Sequence, residues 1–359
     1  MPPVRVLVVD DSVVVRRLVS EALASTLEVT VAGTASSGAL ALAKIPQLNP
    51  DVVTLDIEMP GMNGLETLAA IRKLYPKLPV IMFSTLTERG AAVTLEALSL
   101  GASDYVTKPT NSESLAGAMA QVRRELVAKI LCLGVHRAAA TPTRPVGLRR
   151  SSGGQRIDVL AIGVSTGGPN ALAQVVPCLP ADFPVPIVIV QHMPPLFTHL
   201  LAVRLNSQSR LTVREAEAGK CLVPGEVWIA PGDYHMIVSR RGGRVVLNLN
   251  QEPAENSCRP AVDVLFRSVA QVYGRTTLAI VLTGMGSDGA RGTVQIREAG
   301  GEVFVQDEAT SVVWGMPGAV VSVGAADKVC QLSDISQEVV RRVATGRMPN
   351  SVAAIPRDV

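Results

Sequence analysis

Short runs of Val, Ile and Leu alternate with amphipathic stretches over roughly the first 130 residues. The short runs are typical of buried strands and the longer stretches of helices. Together they predict a five-fold βα alternation, which is typical of an α/β domain with a doubly wound parallel sheet. The strands are predicted at 5–9, 28–35, 52–56, 80–84 and 103–106, and the helices at 13–24, 38–45, 64–75, 91–100 and 112–130.

A second alternation of the same kind begins at Asp158 and predicts a second doubly wound α/β domain. Between the two, residues 137–155 lack apolar periodicity and indicate a linker. A Gly- and Pro-rich insert over 219–243 predicts an antiparallel hairpin added to the second sheet. We therefore expect one domain over 1–125, a helix end with a flexible linker over 126–155, a second domain over 156–345 and a tail over 346–359.

Composition narrows the class of protein. Apolar residues make up 47% of the chain and aromatic residues only 3%, which suits aliphatic strands covered by helices on both faces. The net charge of +3, without a basic face, argues against a nucleic-acid partner and a DNA-binding output domain. Prolines and glycines interrupt the uncharged stretches 159–181 and 183–203, so we expect no direct membrane insertion. The five scattered cysteines and the lack of a secretory signal predict a reduced, cytoplasmic protein.

Carboxylates follow two strands of the first predicted sheet. Asp10 and Asp11 close the first strand and Asp56 closes the third. The carboxyl ends of parallel strands share one edge, so these groups should meet there and repel one another unless a cation lies among them. Oxygen ligands suit Mg²⁺. Ser84 closes the fourth strand and Lys108 follows the fifth, so the edge combines a carboxylate nucleophile, a metal site and two groups for phosphoryl oxygens.

Each of these residues alone is most often a turn, cap or surface residue, and it is their conjunction that is specific. On the strings VLVVDDS, LDIEMPGMNGLE, IMFST and GASDYVTKP, residues 4–125 resemble the receiver domain of response regulators. The resemblance implies phosphorylation of Asp56 by a histidine kinase. It also implies a Mg²⁺ site at Asp10, Asp11, Asp56 and the Glu58 carbonyl, phosphoryl contacts from Ser84 and Lys108, and a switch aromatic at Tyr105.

A serine follows the first strand of the second domain, in Ser165-Thr166-Gly167-Gly168-Pro169. A hydroxyl at a strand-to-helix turn lies beside helix N-terminal amides that can stabilise an oxyanion. Glycine-rich turns here also bind phosphates, but the string is neither GxGxxG nor a P-loop. The hydroxyl needs a base. His192 closes the next strand, while His199 in a helix and His235 in the insert are rivals, and His136 lies in the linker.

The orienting acid should also follow a strand. Asp288 lies in the glycine-rich turn after strand 278–282, whereas Asp263 begins a helix and is better explained as a charge favouring the helix dipole. Asp-Gly turns are ordinarily only turns, so this assignment depends on Ser165 and His192. The order Ser…His…Asp differs from that of α/β-hydrolases, but triads are defined by geometry rather than chain order.

On the strings IGVSTGGP, QHMP, APGDYH, RPAVDVLF and LTGMGSDGA, residues 156–345 resemble the protein-glutamate methylesterases of bacterial chemotaxis. The resemblance implies that Ser165 is the nucleophile, His192 the base and Asp288 the orienter, with Thr166 and Met285 lining the site or the oxyanion hole. It implies demethylation and glutamine deamidation of methyl-accepting chemoreceptors, controlled by the phosphorylated receiver, with no cofactor for the ester chemistry. Two alternatives stay open: an esterase of a non-chemotaxis sensory pathway, and a non-catalytic regulator that only binds receptors.

Overall fold

The computed structural model describes residues 2–108, 115–135 and 154–347. Outside these ranges lie His136, residues 137–153 of the predicted linker, residues 348–359 of the predicted tail and residues 112–114 of the last helix predicted in the first domain. The first domain is built from five strands and their helices. These elements are β1 (Val4–Val9), α1 (Val13–Ala24), β2 (Val29–Ala35), α2 (Gly38–Leu48), β3 (Val52–Asp56), α3 (Gly64–Leu74), β4 (Val80–Ser84), α4 (Glu88–Ser99), β5 (Asp104–Thr107), α5 (Leu115–Val122) and α6 (Ala128–Val135), with a π-helical turn at Arg123–Val127 between the last two.

The sheet of the first domain is parallel, in the order β2-β1-β3-β4-β5. The strand order reverses between β1 and β3, which opens a crevice at their carboxyl ends. Polar side chains begin the helices that leave this edge. Ser12 accepts from the backbone N–H of Val15 at the start of α1, and Asn63 and Glu66 form a reciprocal capping box at the start of α3.

The second domain contains a seven-stranded sheet, also parallel, in the order β14-β13-β12-β6-β7-β9-β8. Its order reverses at β6, whose neighbours β12 and β7 belong to opposite halves of the sheet. The elements are β6 (Val159–Val164), α7 (Gly168–Val175), β7 (Ile187–Gln191), α8 (Pro195–Gln208), β8 (Thr212–Glu215), β9 (Glu226–Ile229), β10 (His235–Arg241), β11 (Arg244–Asn250), α9 (Val262–Tyr273), β12 (Thr277–Val281), α10 (Ala290–Glu298), β13 (Glu302–Gln306), α11 (Gly315–Ser322), β14 (Lys328–Cys330) and α12 (Leu332–Ala344).

The α/β class with two parallel sheets is confirmed, but the predicted hairpin is misplaced. β9, which the sequence pattern put inside the insert, joins the parallel sheet between β7 and β8. The antiparallel hairpin consists of β10 and β11, and its turn is Gly242-Gly243, both with positive φ. Its strands run to residue 250, beyond the predicted insert, because the alternating pattern of 244–250 continues the pairing begun at His235.

The two domains pack against each other through α4 and β5 of the first. Helix α4 lies against α7 and α8, where its carbonyls accept hydrogen bonds from Asn170 and Arg204. The Tyr105 ring of β5 stacks on the Phe197 ring of α8, with 4.6 Å between centroids and 12° between planes. Stacked pairs of this kind contribute about 0.5–1.5 kcal/mol beyond burial. The docked face therefore includes the predicted switch aromatic.

The beginning and the end of the second domain lie side by side. Arg347, three residues beyond α12, donates from Nη2 to the carbonyl of Ile157 at 2.6 Å, and Gly346 lies against the backbone of Gly154. These two residues, assigned to a loose tail by their sequence, are thus attached to the domain. None of the helices in the described ranges is long and apolar enough to cross a lipid bilayer.

Candidate functional site

Three carboxylates converge at the crevice of the first domain. Asp10 and Asp11 follow β1 and Asp56 ends β3, and oxygens of all three lie within 4.8 Å of one another. Lys108, after β5, reaches between two of them, with Nζ 2.8 Å from Asp56 Oδ1 and 3.1 Å from Asp10 Oδ2. Asp56 Oδ2 is buried and lacks a hydrogen-bond partner within the described part of the chain. The oxygen-only donor set and this unpaired oxygen fit a Mg²⁺ ion.

Burial and neighbouring charges together set the pKa of the Asp56 carboxyl group. Burial raises the pKa of Asp56 to about 6, because the charge of Lys108 only partly offsets the lost hydration and Asp10 adds a like charge. Burial lowers the pKa of Lys108, but its contacts with Asp56 and Asp10 outweigh this and raise it, so the ammonium group stays charged. The cluster combines one cation with several carboxylates and is short of positive charge.

The other predicted receiver residues are not all gathered around Asp56. The Ser84 hydroxyl is buried and bonds toward α4, accepting from Thr94 Oγ1 at 2.6 Å and donating to the Gly90 carbonyl at 3.2 Å. Tyr105 lies on the domain interface rather than at the crevice. The Glu58 backbone N–H approaches Asp56 Oδ1 at 3.4 Å. Tyr105 therefore lies at the contact with the second domain, and Ser84 bonds to α4, the helix that packs there.

In the second domain, Ser165 follows β6 at the point where the strand order reverses. Its backbone N–H donates to the Thr283 carbonyl at 3.0 Å, and its carbonyl accepts from Gln191 Nε2 at 3.0 Å. Gly167 has a φ of +77°, which favours glycine, and a Cβ on Gly168 would lie 2.0 Å from Gln191 Oε1. This tight turn leaves the Ser165 hydroxyl at the cleft, without a hydrogen bond among the described residues.

His192 and Asp288 follow the two strands that flank β6. His192 comes directly after β7, and its backbone N–H donates to the carbonyl of Val164, the residue before Ser165. Asp288 lies between β12 and α10, and its Oδ2 is 2.8 Å from His192 Nε2. Since an ionised carboxylate only accepts, Nε2 carries the proton and Nδ1 holds the free lone pair of the neutral ring. Three adjacent strands thus bring all three predicted catalytic residues to one crevice.

The Asp288 carboxylate is 2% exposed and accepts from five N–H donors. Burial raises its pKa, but the His192 hydrogen bond and charge outweigh this and, with the α9 amides of Val262 and Asp263, lower the pKa below its ordinary value. The remaining donors are the side-chain amide of Asn256 and the Gly289 backbone. Asp288 is therefore a fixed anion.

The imidazole of His192 is held between Asp288 and a cysteine. Its Nδ1 lies 3.6 Å from Cys258 Sγ. Burial alone lowers the pKa of His192, but the hydrogen bonds and negative charges of Asp288 and Cys258 outweigh this and raise it to about 9. Sequence reasoning missed both Cys258 and Asn256. They lie in an irregular loop without periodicity or motif, so only the folded chain shows their contacts.

The cleft around Ser165 has a volume of about 1000 Å³ and both domains line it. Met285 lines it and packs against an apolar cluster made mainly of first-domain side chains. Thr166 is buried, and its hydroxyl donates to Asp104 Oδ2 of the first domain at 2.8 Å. That carboxylate also pairs with Lys129 Nζ at 2.9 Å. The first domain therefore forms one wall of the cleft and bonds the residue next to Ser165.

The rival residues have other partners. His235 is 1% exposed, accepts from the Ala261 N–H and contacts the Pro253 carbonyl, so it does not line the cleft. His199 lies on the surface of α8 beside Glu215. Asp263 is fully buried and accepts from the Gly292 N–H, so it joins α9 to α10 instead of only facing the helix dipole.

Comparison with known proteins identifies the family of each domain. A protein-family model described as CheB methylesterase matches residues 160–339, and one described as response regulator receiver domain matches residues 6–120. The chain is 51% identical to the protein-glutamate methylesterase/protein-glutamine glutaminase of Trichodesmium erythraeum over 354 residues, which cover 96% of this chain and 100% of the relative. The corresponding protein of a Nocardioides species is 52% identical, over 99% of each chain.

Among solved structures, the CheB methylesterase catalytic domain of Thermotoga maritima resembles the second domain. It superposes with a TM-score of 0.51 at 44% identity, and the match covers 52% of this chain and 99% of that one.

Proposed function

The chain belongs to the CheB methylesterase family, with a response regulator receiver domain at its N-terminus, and we propose that Ser165, His192 and Asp288 carry its catalysis. The activity is that of a protein-glutamate methylesterase and protein-glutamine glutaminase in chemotaxis. The observation that supports the residue assignment is the His192–Asp288 pair at the edge where Ser165 emerges. A non-chemotaxis esterase or a non-catalytic regulator is not favoured by these relatives.

In the proposed reaction, Ser165 Oγ attacks the carbonyl carbon of a glutamyl methyl ester while His192 Nδ1 takes the hydroxyl proton. Asp288 keeps the ring oriented through Nε2 and stabilises the imidazolium. The tetrahedral oxyanion is held by amides near Thr166 and Met285, each donor contributing about 2.7–4 kcal/mol. His192 returns the proton to the leaving methoxy group, and methanol departs.

Water then completes the cycle. It attacks the glutamyl–Ser165 ester with His192 again as base, and glutamate and the free hydroxyl are released. With a glutamine side chain the same steps release ammonia in place of methanol. The substrate chains are the cytoplasmic helices of methyl-accepting chemoreceptors. Apart from this water, the groups proposed to act in the reaction are side chains and amides of this protein.

The test is methanol release from a methylated receptor fragment. Ser165→Ala should lower the rate by roughly a thousandfold or more, because the nucleophile is removed. Ser287→Ala, which removes an exposed hydroxyl at the same edge, is the matched control and should keep the rate. Receptor binding measured on both variants separates catalysis from docking. A Ser165→Ala protein with the normal rate would refute the assignment.

We also propose that Asp56 accepts a phosphoryl group from a histidine kinase. Its carboxylate oxygen attacks phosphorus as the phosphorus–nitrogen bond to the kinase histidine breaks, and that imidazole leaves. Asp10, Asp11, Asp56 and the Glu58 carbonyl would hold Mg²⁺. The ion would supply charge neutralisation between the carboxylates and the phosphoryl oxygens. Lys108, already 2.8 Å from Asp56, would bind a phosphoryl oxygen. Ser84 would turn from α4 to do the same, altering the face that carries Tyr105.

Control of the esterase follows from the shared cleft. We propose that the unphosphorylated receiver obstructs Ser165, and that phosphorylation releases it. The Asp104–Thr166 bond and the Tyr105–Phe197 stack support this, because both tie the receiver to the rim of the cleft. A fragment of residues 150–359 should hydrolyse receptor esters faster than the unphosphorylated whole chain, and equal rates would contradict the proposal.

A further inference from the structure

The thiol of Cys258 contacts the imidazole of His192, which the proposed mechanism uses as the base for Ser165. Its Sγ lies 3.6 Å from His192 Nδ1, the nitrogen that the proposed mechanism uses as base. Cys258 is only partly buried and lines the same cleft as Ser165. The mechanism proposed above does not use this cysteine, so its contact with the base needs a separate explanation.

The loop around Cys258 fixes the thiol in place. Asn256 and Ser257 both have positive φ, at 53° and 62°, a conformation that costs energy for residues other than glycine. Glu255 and Cys258 exchange two backbone hydrogen bonds across this turn. The Asn256 amide donates to Asp288 Oδ1 at 2.8 Å, so one turn holds both the carboxylate and the thiol against the imidazole.

The sulfur and nitrogen have the spacing of two ligands on one metal ion. Zinc bonds of about 2.3 Å to sulfur and about 2.05 Å to nitrogen, at a tetrahedral angle of ~109°, place these atoms roughly 3.6 Å apart. A thiol–imidazole hydrogen bond spans a similar distance, so the experiment must separate the two. Asp288 belongs to the same cluster of metal-ligating groups, within 4.8 Å.

Asp288 is better placed to hydrogen-bond the metal-binding histidine than to bind the metal itself. Both its oxygens already accept N–H donors, and Oδ2 receives His192 Nε2. A carboxylate on the far nitrogen of a metal-binding histidine fixes the ring and strengthens the ligand. This leaves His192 Nδ1 and Cys258 Sγ as ligands, with the other tetrahedral positions open to the cleft for water.

We propose that His192 Nδ1 and Cys258 Sγ form a Zn²⁺ site, and that bound Zn²⁺ inhibits the esterase. Binding displaces the thiol proton to solvent and uses the Nδ1 lone pair that must accept the Ser165 proton, so the ester cannot be attacked while the ion is present. The inhibition rests on the proposed function of His192, but the binding itself does not.

The first experiment titrates ZnCl₂ against methanol release by the whole chain, phosphorylated with a small phosphodonor in a fixed excess of Mg²⁺. Zinc should suppress the rate and a chelator should restore it. Each variant is normalised to its own rate in the same Mg²⁺ without zinc. Cys258→Ser should raise the zinc concentration for half inhibition by about 10–100-fold. Cys178→Ser, which alters an exposed cysteine elsewhere, should leave it unchanged.

The second experiment measures binding without activity. Co²⁺ replaces Zn²⁺ in such sites and gives a thiolate-to-metal charge-transfer absorption. We expect this band in the Ser165→Ala protein and its loss when Cys258→Ser is added. Absence of the band, or equal zinc sensitivity with and without Cys258, would overturn the proposal and leave only a hydrogen bond. A band in the Ser165→Ala protein, together with a chain carrying Ser165 that releases no methanol in the absence of zinc, would instead count against the proposed function alone.

Discussion

The two reactive sheet edges of this protein are built on the same plan, but the carboxylates at the two edges differ in how fully they are hydrogen-bonded. Each lies where the strand order of a parallel sheet reverses. In the first domain the Asp56 oxygen Oδ2 is buried without a hydrogen-bond partner among the described residues, and Lys108 forms ion pairs with Asp56 and Asp10. In the second, Asp288 has five N–H donors. The first edge is organised to receive charge from outside. The second is preorganised, and its control comes from what covers it.

The largest effect should come from a substitution in the fully hydrogen-bonded site of the second domain. Asp288→Asn should lower methanol release by about 10³–10⁴-fold, because an amide cannot accept all five donors or stabilise the imidazolium. Asp182→Asn, an exposed aspartate, is the control. Thermal unfolding of both proteins checks that the fold is kept. A loss smaller than tenfold would show that the carboxylate is a structural residue only.

The pH dependence of that edge should be the next largest effect. His192 acts as a base only when neutral, and its pKa is raised to about 9. In the presence of a chelator, kcat/KM should therefore rise about tenfold per pH unit well below this value, or roughly fiftyfold between pH 7 and 9, and level off above. Ser165→Ala measured in parallel corrects for ester hydrolysis by hydroxide. A flat profile from pH 7 to 9 would contradict the assignment.

A substitution in the carboxylate site of the first domain should remove regulation by phosphorylation and leave the basal rate of ester hydrolysis unchanged. Asp56→Asn should abolish stimulation by a phosphodonor, a loss of about 5–150-fold for a coupling of ~1–3 kcal/mol. Its rate without phosphodonor should equal that of the wild type. Removing Mg²⁺ from the wild type should have the same effect. Stimulation that survives in both cases would place the phosphorylation site elsewhere.

The smallest effect should appear at the contact between the two edges. Asp104→Ala removes the acceptor of the Thr166 hydroxyl. If the bond contributes about 1 kcal/mol, the unphosphorylated rate should rise roughly fivefold. Glu96→Ala, on the exposed side of α4, should leave it unchanged. A rate unaltered by Asp104→Ala would mean that this bond does not restrain the cleft.

Hydrophobic periodicity and the polar residues at strand ends were enough to predict the fold class and the strands that the proposed catalytic residues follow. Both parallel sheets are confirmed, and Ser165, His192 and Asp288 follow three adjacent strands as the alternation implied. The pattern missed β8, β14, α11 and α12. Two of these are strands of only three or four residues, and α11 is apolar without a clear stripe, so these three give no strong periodic signal. Helix α12 differs, because its buried residues Ile335, Val339 and Val343 recur at helical spacing, and the sequence interpretation missed that pattern.

The side-chain contacts that the sequence did not predict join segments that are far apart in the chain. Nothing in the string around Asp104 shows that its carboxylate meets a hydroxyl 62 positions away. The partners of His192 are similarly remote, since Cys258 lies 66 positions along the chain and Asp288 lies 96. Irregular loops follow paths set by the elements that they join, so the local sequence does not indicate which distant side chains they will contact.

The adjacency of Ile157 and Arg347 has a practical consequence for protein engineering. Since the chain enters and leaves the second domain at one place, a short bridge across that point would permit circular permutation. The tip at Gly242-Gly243, where both residues are exposed, offers new termini. Such a permutant would let the receiver be tethered from a different corner, and so show whether its present attachment point matters for inhibition.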